Sequence, residues 1–288
     1  MNNIEDLNIT VVGLGLIGGS IAKAIRKNLK VRNLWAVDLD INALSESKKS
    51  GIIDNCYVDP KYPLQNSEIV IMCTYPDTTL DFIKNNMIHF KQNALITDTS
   101  GIKGKIVTEV KKVMRDDLEF IGGHPMSGKE TFGYQFSDDA IFLGANYILT
   151  PDESNTEDSV SFLKEILLKI GFKKIVETTP QMHDEIIAYT SQLPHVIASL
   201  LMTNSKFEKS IDCIGGSFKD ITRVADINCD LWCQLLYENK KNILSELSVL
   251  INDINNICDI INNDDLHSLE SIFKKSSILR KEINYEKA

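Results

Sequence analysis

Ile9-Thr10-Val11-Val12-Gly13-Leu14-Gly15-Leu16-Ile17-Gly18-Gly19-Ser20-Ile21-Ala22 is the stretch whose reading decides the fold. A short apolar run ends at Val12, three glycines follow at G-x-G-x-x-G spacing, and apolar residues then recur at helical intervals to Ile25. That order reads as strand, tight turn, helix. Each glycine answers a separate need: Gly13 the turn, Gly15 close approach of backbone to a pyrophosphate, Gly18 close packing of helix on strand. The helix N-terminus adds unpaired N–H groups and the positive end of its dipole. Gly13, Leu14, Gly15, Leu16, Ile17 and Gly18 are therefore the expected cofactor-binding loop. Twenty residues past Gly18, the run Leu34-Trp35-Ala36-Val37 ends in Asp38. A carboxylate there accepts hydrogen bonds from an adenosine ribose 2′-OH and repels a 2′-phosphate, so the expected cofactor is NAD rather than NADP.

A chain of 288 residues is long enough for one large or two ordinary domains. With 31 basic against 40 acidic residues the formal charge is −9, which argues against a nucleic-acid surface. An anionic substrate gains nothing from that field and must find a local cation. No apolar run reaches the length of a membrane span, and Met1-Asn2-Asn3-Ile4-Glu5-Asp6 lacks the basic region and apolar segment of a signal peptide. A cytoplasmic protein is expected. The six cysteines are scattered; Cys229 and Cys233 lie four apart with no second pair or histidine at zinc spacing, so reduced thiols and no metal site are expected.

Beyond Asp38, strand and helix signals alternate. Weak strand character covers 53–58 and strong strand character 68–73 and 94–98. Helical periodicity covers 103–114, and residues 118–121 lead into Gly122-Gly123-His124-Pro125. A strand at 146–150, a helix over about 156–170 and a strand at 173–177 follow. This alternation predicts a parallel, doubly wound sheet. Near Thr178-Thr179-Pro180 the pattern changes to helical periods only, with Thr179 suited to cap a helix and Pro180 to its first turn. A long helix is expected from about 231 to 261, an amphipathic one from 266 to 284, and a frayed tail, Tyr285 to Ala288. The expected division is an α/β dinucleotide-binding domain of the Rossmann type at 1–178 and an all-helical domain at 179–288.

In an open parallel sheet, ligands bind outside the carboxyl ends of the strands. The glycine loop, Thr74-Tyr75-Pro76-Asp77, Asp98-Thr99-Ser100-Gly101 and Gly122-Gly123-His124-Pro125 must share that rim, which adds Thr74 and Asp98 to the cofactor set. His124 is the histidine placed there by topology, and a neutral imidazole can take a proton from a substrate hydroxyl as hydride leaves the carbon. Asp98 and Ser100 admit two readings, site residues or simple turn chemistry. Arg223 is either a bidentate clamp for a substrate carboxylate or the partner of Asp220 or Asp226 in a surface pair. Pro194 is placed to kink its helix and re-aim His195. Trp232 reads as core or as ligand contact, and His183 as exposed, capping or functional.

The order Gly13-x-Gly15-x-x-Gly18, Asp38, Asp98-x-x-x-x-Lys103, Gly122-Gly123-His124-Pro125-Met126-x-Gly128-x-Glu130, His183-Asp184, Leu193-Pro194-His195, Gly216-x-Phe218-Lys219-Asp220-x-x-Arg223 and Trp232 resembles the prephenate dehydrogenase family, over residues 9 to 245. The His-Pro and Gly-x-Phe-Lys-Asp-x-x-Arg segments are far more specific than the glycine loop. The resemblance implies oxidative decarboxylation of prephenate to 4-hydroxyphenylpyruvate in tyrosine biosynthesis, with NAD accepting hydride. It also implies a homodimer formed through the helical domain. His124 is then the catalytic base, with Ser100 beside it. Arg223 holds a substrate carboxylate, His195 and Trp232 line the pocket, and Glu130 and His183 stand at further site positions. Many members read Asp-x-Gly-Ser-x-Lys where this chain has Asp98-Thr99-Ser100-Gly101-Ile102-Lys103, so the family serine falls on Gly101 and Ser100 is expected to stand in for it. Histidine is common where Gln192 stands, and glycine where Ser217 stands. No chorismate mutase segment or ACT module is expected, so any feedback by tyrosine would act at the active site. Arogenate dehydrogenase is the alternative activity. A silent NAD-sensing dimer and a 3-hydroxyacid dehydrogenase are the more distant readings.

Overall fold

A computed structural model describes residues 3–285. The chain runs β1 (Asn8–Val12), α1 (Leu16–Asn28), β2 (Asn33–Val37), α2 (Ile41–Lys49), β3 (Asn55–Tyr57), α3 (Lys61–Asn66), β4 (Ile69–Met72), α4 (Pro76–Asn86), β5 (Leu95–Asp98), α5 (Gly104–Lys111) and β6 (Glu119–Pro125). Two 3₁₀ turns, Tyr134–Phe136 and Asp139–Phe142, then lead to β7 (Asn146–Thr150), α6 (Glu157–Lys169) and β8 (Lys174–Glu177). All eight strands join one sheet in the order β3-β2-β1-β4-β5-β6-β7-β8. The chain reverses direction across the sheet between β3 and β4, so β1 and β4 lie side by side and their carboxyl ends open a crevice.

Strand periodicity builds the two faces. In β4, Ile69 and Ile71 enter the core formed with α1, α2 and α6, while Val70 and Met72 enter the core formed with α3, α4 and α5. Side-chain caps start two of the helices: Thr156 accepts from Ser159 N–H at the start of α6, and Asp40 caps α2.

Three expectations are corrected. The sheet is not wholly parallel, because β7 pairs antiparallel to β6, with Gly122 opposite Thr150 and His124 opposite Ile148, and β8 follows β7 in parallel. The cause is the connection: 3₁₀ turns replace the crossover helix that a parallel return needs. Second, β6 does not stop at Ile121 but runs through Gly122-Gly123-His124-Pro125, which puts His124 on a hydrogen-bonded strand instead of a free loop. Third, the long helix expected over 231–261 breaks at Asn239, whose side chain donates to the carbonyl of Asp184 and to Gln192 Oε1.

Thr179 and Pro180 open α7 (Pro180–Ile187), the threonine hydroxyl accepting from Met182 N–H. A π-helical turn, Ala188–Gln192, follows, then α8 (Leu193–Met202), α9 (Phe207–Ser210), α10 (Gly216–Thr222) and α11 (Cys229–Glu238). The π turn absorbs Pro194, which lacks the N–H that a regular helix needs there. By compactness residues 1–240 form one unit and 241–288 another. The second unit contains most of α12 (Lys240–Asn262) and α13 (Leu266–Tyr285). Of the tail expected to fray, only Tyr285 falls within the described residues. Among those residues, no single helix is long and apolar enough to cross a membrane.

Candidate active site

The glycine turn is shaped by its neighbours. Gly13 has φ +92°, and a Cβ there would lie 2.7 Å from the Cys73 carbonyl oxygen and 2.9 Å from Thr74 Cγ2. At Gly18 a Cβ would fall 1.9 Å from the Gly13 carbonyl oxygen, so the third glycine is demanded by helix–turn packing. Gly15 differs, since no heavy atom lies within 4 Å of its would-be Cβ. It is the N-cap residue of α1 and supplies no side-chain cap, which leaves the first-turn N–H groups of Leu16 and Ile17 free for an anion in that open space. Asp38 accepts from Leu14 N–H with Oδ2 and from Asp40 N–H with Oδ1, and each oxygen retains a lone pair for a ribose hydroxyl. A dinucleotide fits these groups. Leu14 and Asp98 are instead engaged within the protein. The Leu14 side chain is in the core and its N–H is held by Asp38, so Leu14 shapes the loop. Thr74 packs its methyl group against Gly13 and pairs its hydroxyl with Thr79 at 2.8 Å.

Asp98 is 0% exposed and ion-paired with Lys103, likewise 0% exposed. Its carboxylate also accepts from Ser100 N–H and Gly123 N–H, both at 3.0 Å. The pair welds the loop after β5 to β6, and no carboxylate face is left for cofactor. Gly123 permits the contact: a Cβ there would lie 2.6 Å from the Asp98 carbonyl oxygen and 2.4 Å from Tyr147 Oη. Burial lowers the Lys103 pKa, opposed by the adjacent Asp98 charge.

His124 follows directly and is half-buried. Its Nδ1 lies 2.9 Å from His183 Nε2, and His183 Nδ1 lies 2.7 Å from Asp184 Oδ1. The Asp184 carboxylate also accepts from Lys103 N–H at 2.7 Å and from Gly104 N–H at 2.8 Å. An ionised carboxylate only accepts, so the network assigns a proton to His183 Nδ1 and leaves Nε2 as an acceptor. His124 then donates through Nδ1–H, and its Nε2 carries a lone pair. The sequence of roles matches a base held in one tautomer by a carboxylate-anchored partner. Burial lowers the His124 pKa well below the ordinary imidazole value, with His183 and Lys103 adding to the effect. His183 is lowered by burial as well, partly offset by Asp184.

His183 was expected at the substrate. It is 0% exposed, and its Nε2 meets His124 Nδ1 instead. Ser100 was expected beside the base, but its Oγ is buried without a hydrogen-bond partner. Position 101 is the one that faces the base: a Cβ on Gly101 would lie 3.8 Å from His124 Nε2. The serine–glycine exchange therefore turns the hydroxyl away, and Leu235 of α11, 3.3 Å from that same point, occupies the space.

The remaining candidates gather around α8 and α11. His195 stacks on Trp232 with ring centroids 3.8 Å apart and an interplanar angle of 28°. His195 Nδ1–H donates to the Ser191 carbonyl in the π turn at 2.8 Å, which leaves Nε2 free, and burial lowers its pKa. Arg223 pairs through Nη1 with Glu130, from the segment after β6, and not with Asp220 or Asp226. Their side chains are 65% and 37% exposed, and both charges act on His195. The sequence missed Lys103, Asp184, Gln192, Leu235 and Asn239 as supports. Gln192 Nε2 donates to the Leu235 carbonyl at 3.1 Å and its Oε1 accepts from Asn239, tying the π turn to α11. The only local signal was the adjacent His183-Asp184 pair.

A doubly wound nucleotide-binding sheet with a tautomer-fixed histidine at its rim, facing a helical half with an arginine, is the architecture of a dinucleotide-dependent oxidoreductase. Residues 21–176 match the nucleotide-binding domain model of prephenate dehydrogenase, and residues 179–275 match that family's dimerization domain. The chain belongs to the prephenate dehydrogenase family. It is 31% identical over 287 residues to the prephenate dehydrogenase of Bacillus subtilis (strain 168), covering 97% of this chain and 76% of that one. A solved prephenate dehydrogenase from A. aeolicus, in complex with hydroxyphenyl propionate and NAD+, is similar with a TM-score of 0.87 and 26% identity over 96% of this chain and 98% of that one. Synechocystis arogenate dehydrogenase follows with a TM-score of 0.82 and 25% identity, over 96% and 99%.

Proposed function

We propose that this protein catalyses the NAD-dependent oxidative decarboxylation of prephenate to 4-hydroxyphenylpyruvate. The observation that carries the reading is the lone pair on His124 Nε2, held in one tautomer by the His183–Asp184 relay. When bound, NAD accepts the hydride from the ring carbon that bears the hydroxyl. His124 takes the hydroxyl proton as that bond forms a carbonyl, and returns it to the same oxygen once the ring carboxylate has left as CO₂. Aromatisation drives the step, so the protein contributes positioning, a base and a clamp. Arg223 holds a substrate carboxylate: Glu130 engages Nη1, and the other guanidinium N–H groups remain for a second partner. Trp232 gives the ring an apolar wall, and His195 Nε2 offers a polar contact beside it.

NAD is favoured over NADP by Asp38, whose charge opposes a 2′-phosphate. Prephenate is favoured over arogenate by the B. subtilis relative, while the likeness to the Synechocystis enzyme supports arogenate as the second reading. A homodimer formed through the helical half is part of the proposal. It is supported by the dimerization-domain match and by the exposed apolar side chains of the second unit, among them Leu244, Ile251, Ile254, Phe273 and Ile278. Steady-state NADH formation with each substrate tests the reaction. Higher kcat/KM with prephenate and NAD+ is expected; turnover of arogenate alone, or of NADP+ in preference, overturns the assignment.

A further inference from the structure

Helix α11 carries Trp232 and Leu235, and it is fastened to the cofactor rim at both ends by groups the reaction does not use. At its start, Asn228 Nδ2 donates to the Tyr75 hydroxyl at 2.7 Å. At its end, Lys105 of α5 bridges Glu238, at 2.5 Å, and Asp77 of α4, at 2.9 Å. Asn228 is engaged at three points. Its Oδ1 caps α11 by accepting from Leu231 N–H at 3.0 Å, and its carbonyl accepts the N–H of Trp232 at 3.0 Å. Tyr75 is equally placed on the other side. It precedes α4 and gives its carbonyl to Thr79 N–H at 2.8 Å, and the adjoining Thr74 rests against Gly13 of the cofactor turn. One continuous path therefore runs from the glycine turn through Thr74, Tyr75 and Asn228 to Trp232, and by ring stacking to His195.

We infer that Tyr75 and Asn228 form a latch that positions Trp232 and His195 against the cofactor rim, a role that rests on the reaction proposed above. The latch acts through α11 and touches no reacting atom, so both are positioning residues. A ten-residue helix is about 15 Å long, and attachment at one end alone would let the other swing. Releasing the N-terminal end, beside Trp232, should loosen the substrate pocket and leave the nucleotide cradle intact.

The test uses the full-length protein. Tyr75→Phe removes only the hydroxyl, and Asn228→Ser keeps a helix cap without the amide donor. Each should raise the KM for prephenate about three- to tenfold, the worth of one partly exposed hydrogen bond. The KM for NAD+ should stay within about twofold, since the glycine turn is untouched. The double variant should be no worse than either single. Asn228→Asp restores the latch with the roles reversed, the tyrosine hydroxyl donating to the carboxylate, and should return KM to near wild type. Calorimetric binding of 4-hydroxyphenylpyruvate in the presence of NAD+ should weaken by the same factor, which a loss of stability alone would not produce. Singles with unchanged KM and product affinity, or single effects that multiply in the double, overturn the latch. A wild-type protein that forms no NADH from prephenate or arogenate instead overturns the reaction on which the latch depends.

Discussion

Replacing His183 by phenylalanine probes the relay without touching the base. The ring fills the same buried space and keeps the edge-to-face contact with His124, whose centroid is 5.1 Å away. Asp184 remains anchored by the N–H groups of Lys103 and Gly104. What disappears is the acceptor for His124 Nδ1–H. A buried donor left without a partner costs about 1–3 kcal/mol, so the imidazole shifts its proton to Nε2, where substrate or water can accept it. Since about 1.4 kcal/mol is a factor of ten, the fraction of His124 in the basic tautomer falls by about 5- to 150-fold. Turnover should fall by the same factor, less than for removal of the base itself. Stopped-flow and steady-state NADH formation would read the loss, with the NAD+ dissociation constant as a control for folding. Turnover within twofold of wild type at unchanged nucleotide affinity would refute the relay, because His124 would then hold its tautomer without His183.

Three further outcomes follow from the same geometry. Ser100→Ala should leave turnover within about threefold of wild type and stability unchanged or slightly raised, since a buried hydroxyl without a partner contributes nothing to lose; a hundredfold loss in steady-state rate would restore the serine to the site. Arg223→Ala should raise the prephenate KM by about one to two orders of magnitude with a smaller change in kcat, the worth of hydrogen bonds to a charged partner at an exposed position. An unchanged KM would reduce Arg223 to its surface pair with Glu130. The pH dependence has a definite sign. His124 and His183 have folded pKa values lowered below 6.5 by burial, so as pH falls through 6.5 the unfolded chain takes up protons that the folded chain refuses. Thermal stability should therefore drop as pH is lowered below 6.5, less steeply in His124→Asn, and the acid limb of kcat/KM should lie below 6.5.

Most of the nucleotide-binding half was legible because its signals are local. The glycine turn, Asp38 and the apolar strands β1, β4 and β5 all declare themselves within a few residues, as does the Thr179 cap that opens the helical half. Strand direction does not: β7 is the same short buried run whichever way it points, and only the 3₁₀ connection before it determines the reversal. Helix phase was lost for a similar reason. A five-residue π turn at Ala188–Gln192 separates His183, which faces His124, from His195, which faces Trp232, and no periodicity in the sequence marks that wider turn. The break at Asn239 depends on partners at Asp184 and Gln192, 55 and 47 residues away. Within the site, the residues proposed to meet cofactor or substrate were easier to read than those that hold them. Asp98, assigned to cofactor, is instead half of a buried ion pair with Lys103, and its role became visible only when β5, β6 and the loop between β5 and α5 were brought together.

His124 acts, in the reaction proposed, as the base for oxidation of a cyclohexadienyl alcohol by NAD. The most direct measurement is the rate of NADH formation from prephenate by wild type and by His124→Asn, with 4-hydroxyphenylpyruvate identified as product and NAD+ affinity measured alongside. The prediction is a wild-type rate that falls by about two to four orders of magnitude in the variant, the worth of a positioned base, while NAD+ affinity is preserved. A variant that turns over prephenate at the wild-type rate would contradict it, as would a wild-type protein that binds NAD+ but forms no NADH.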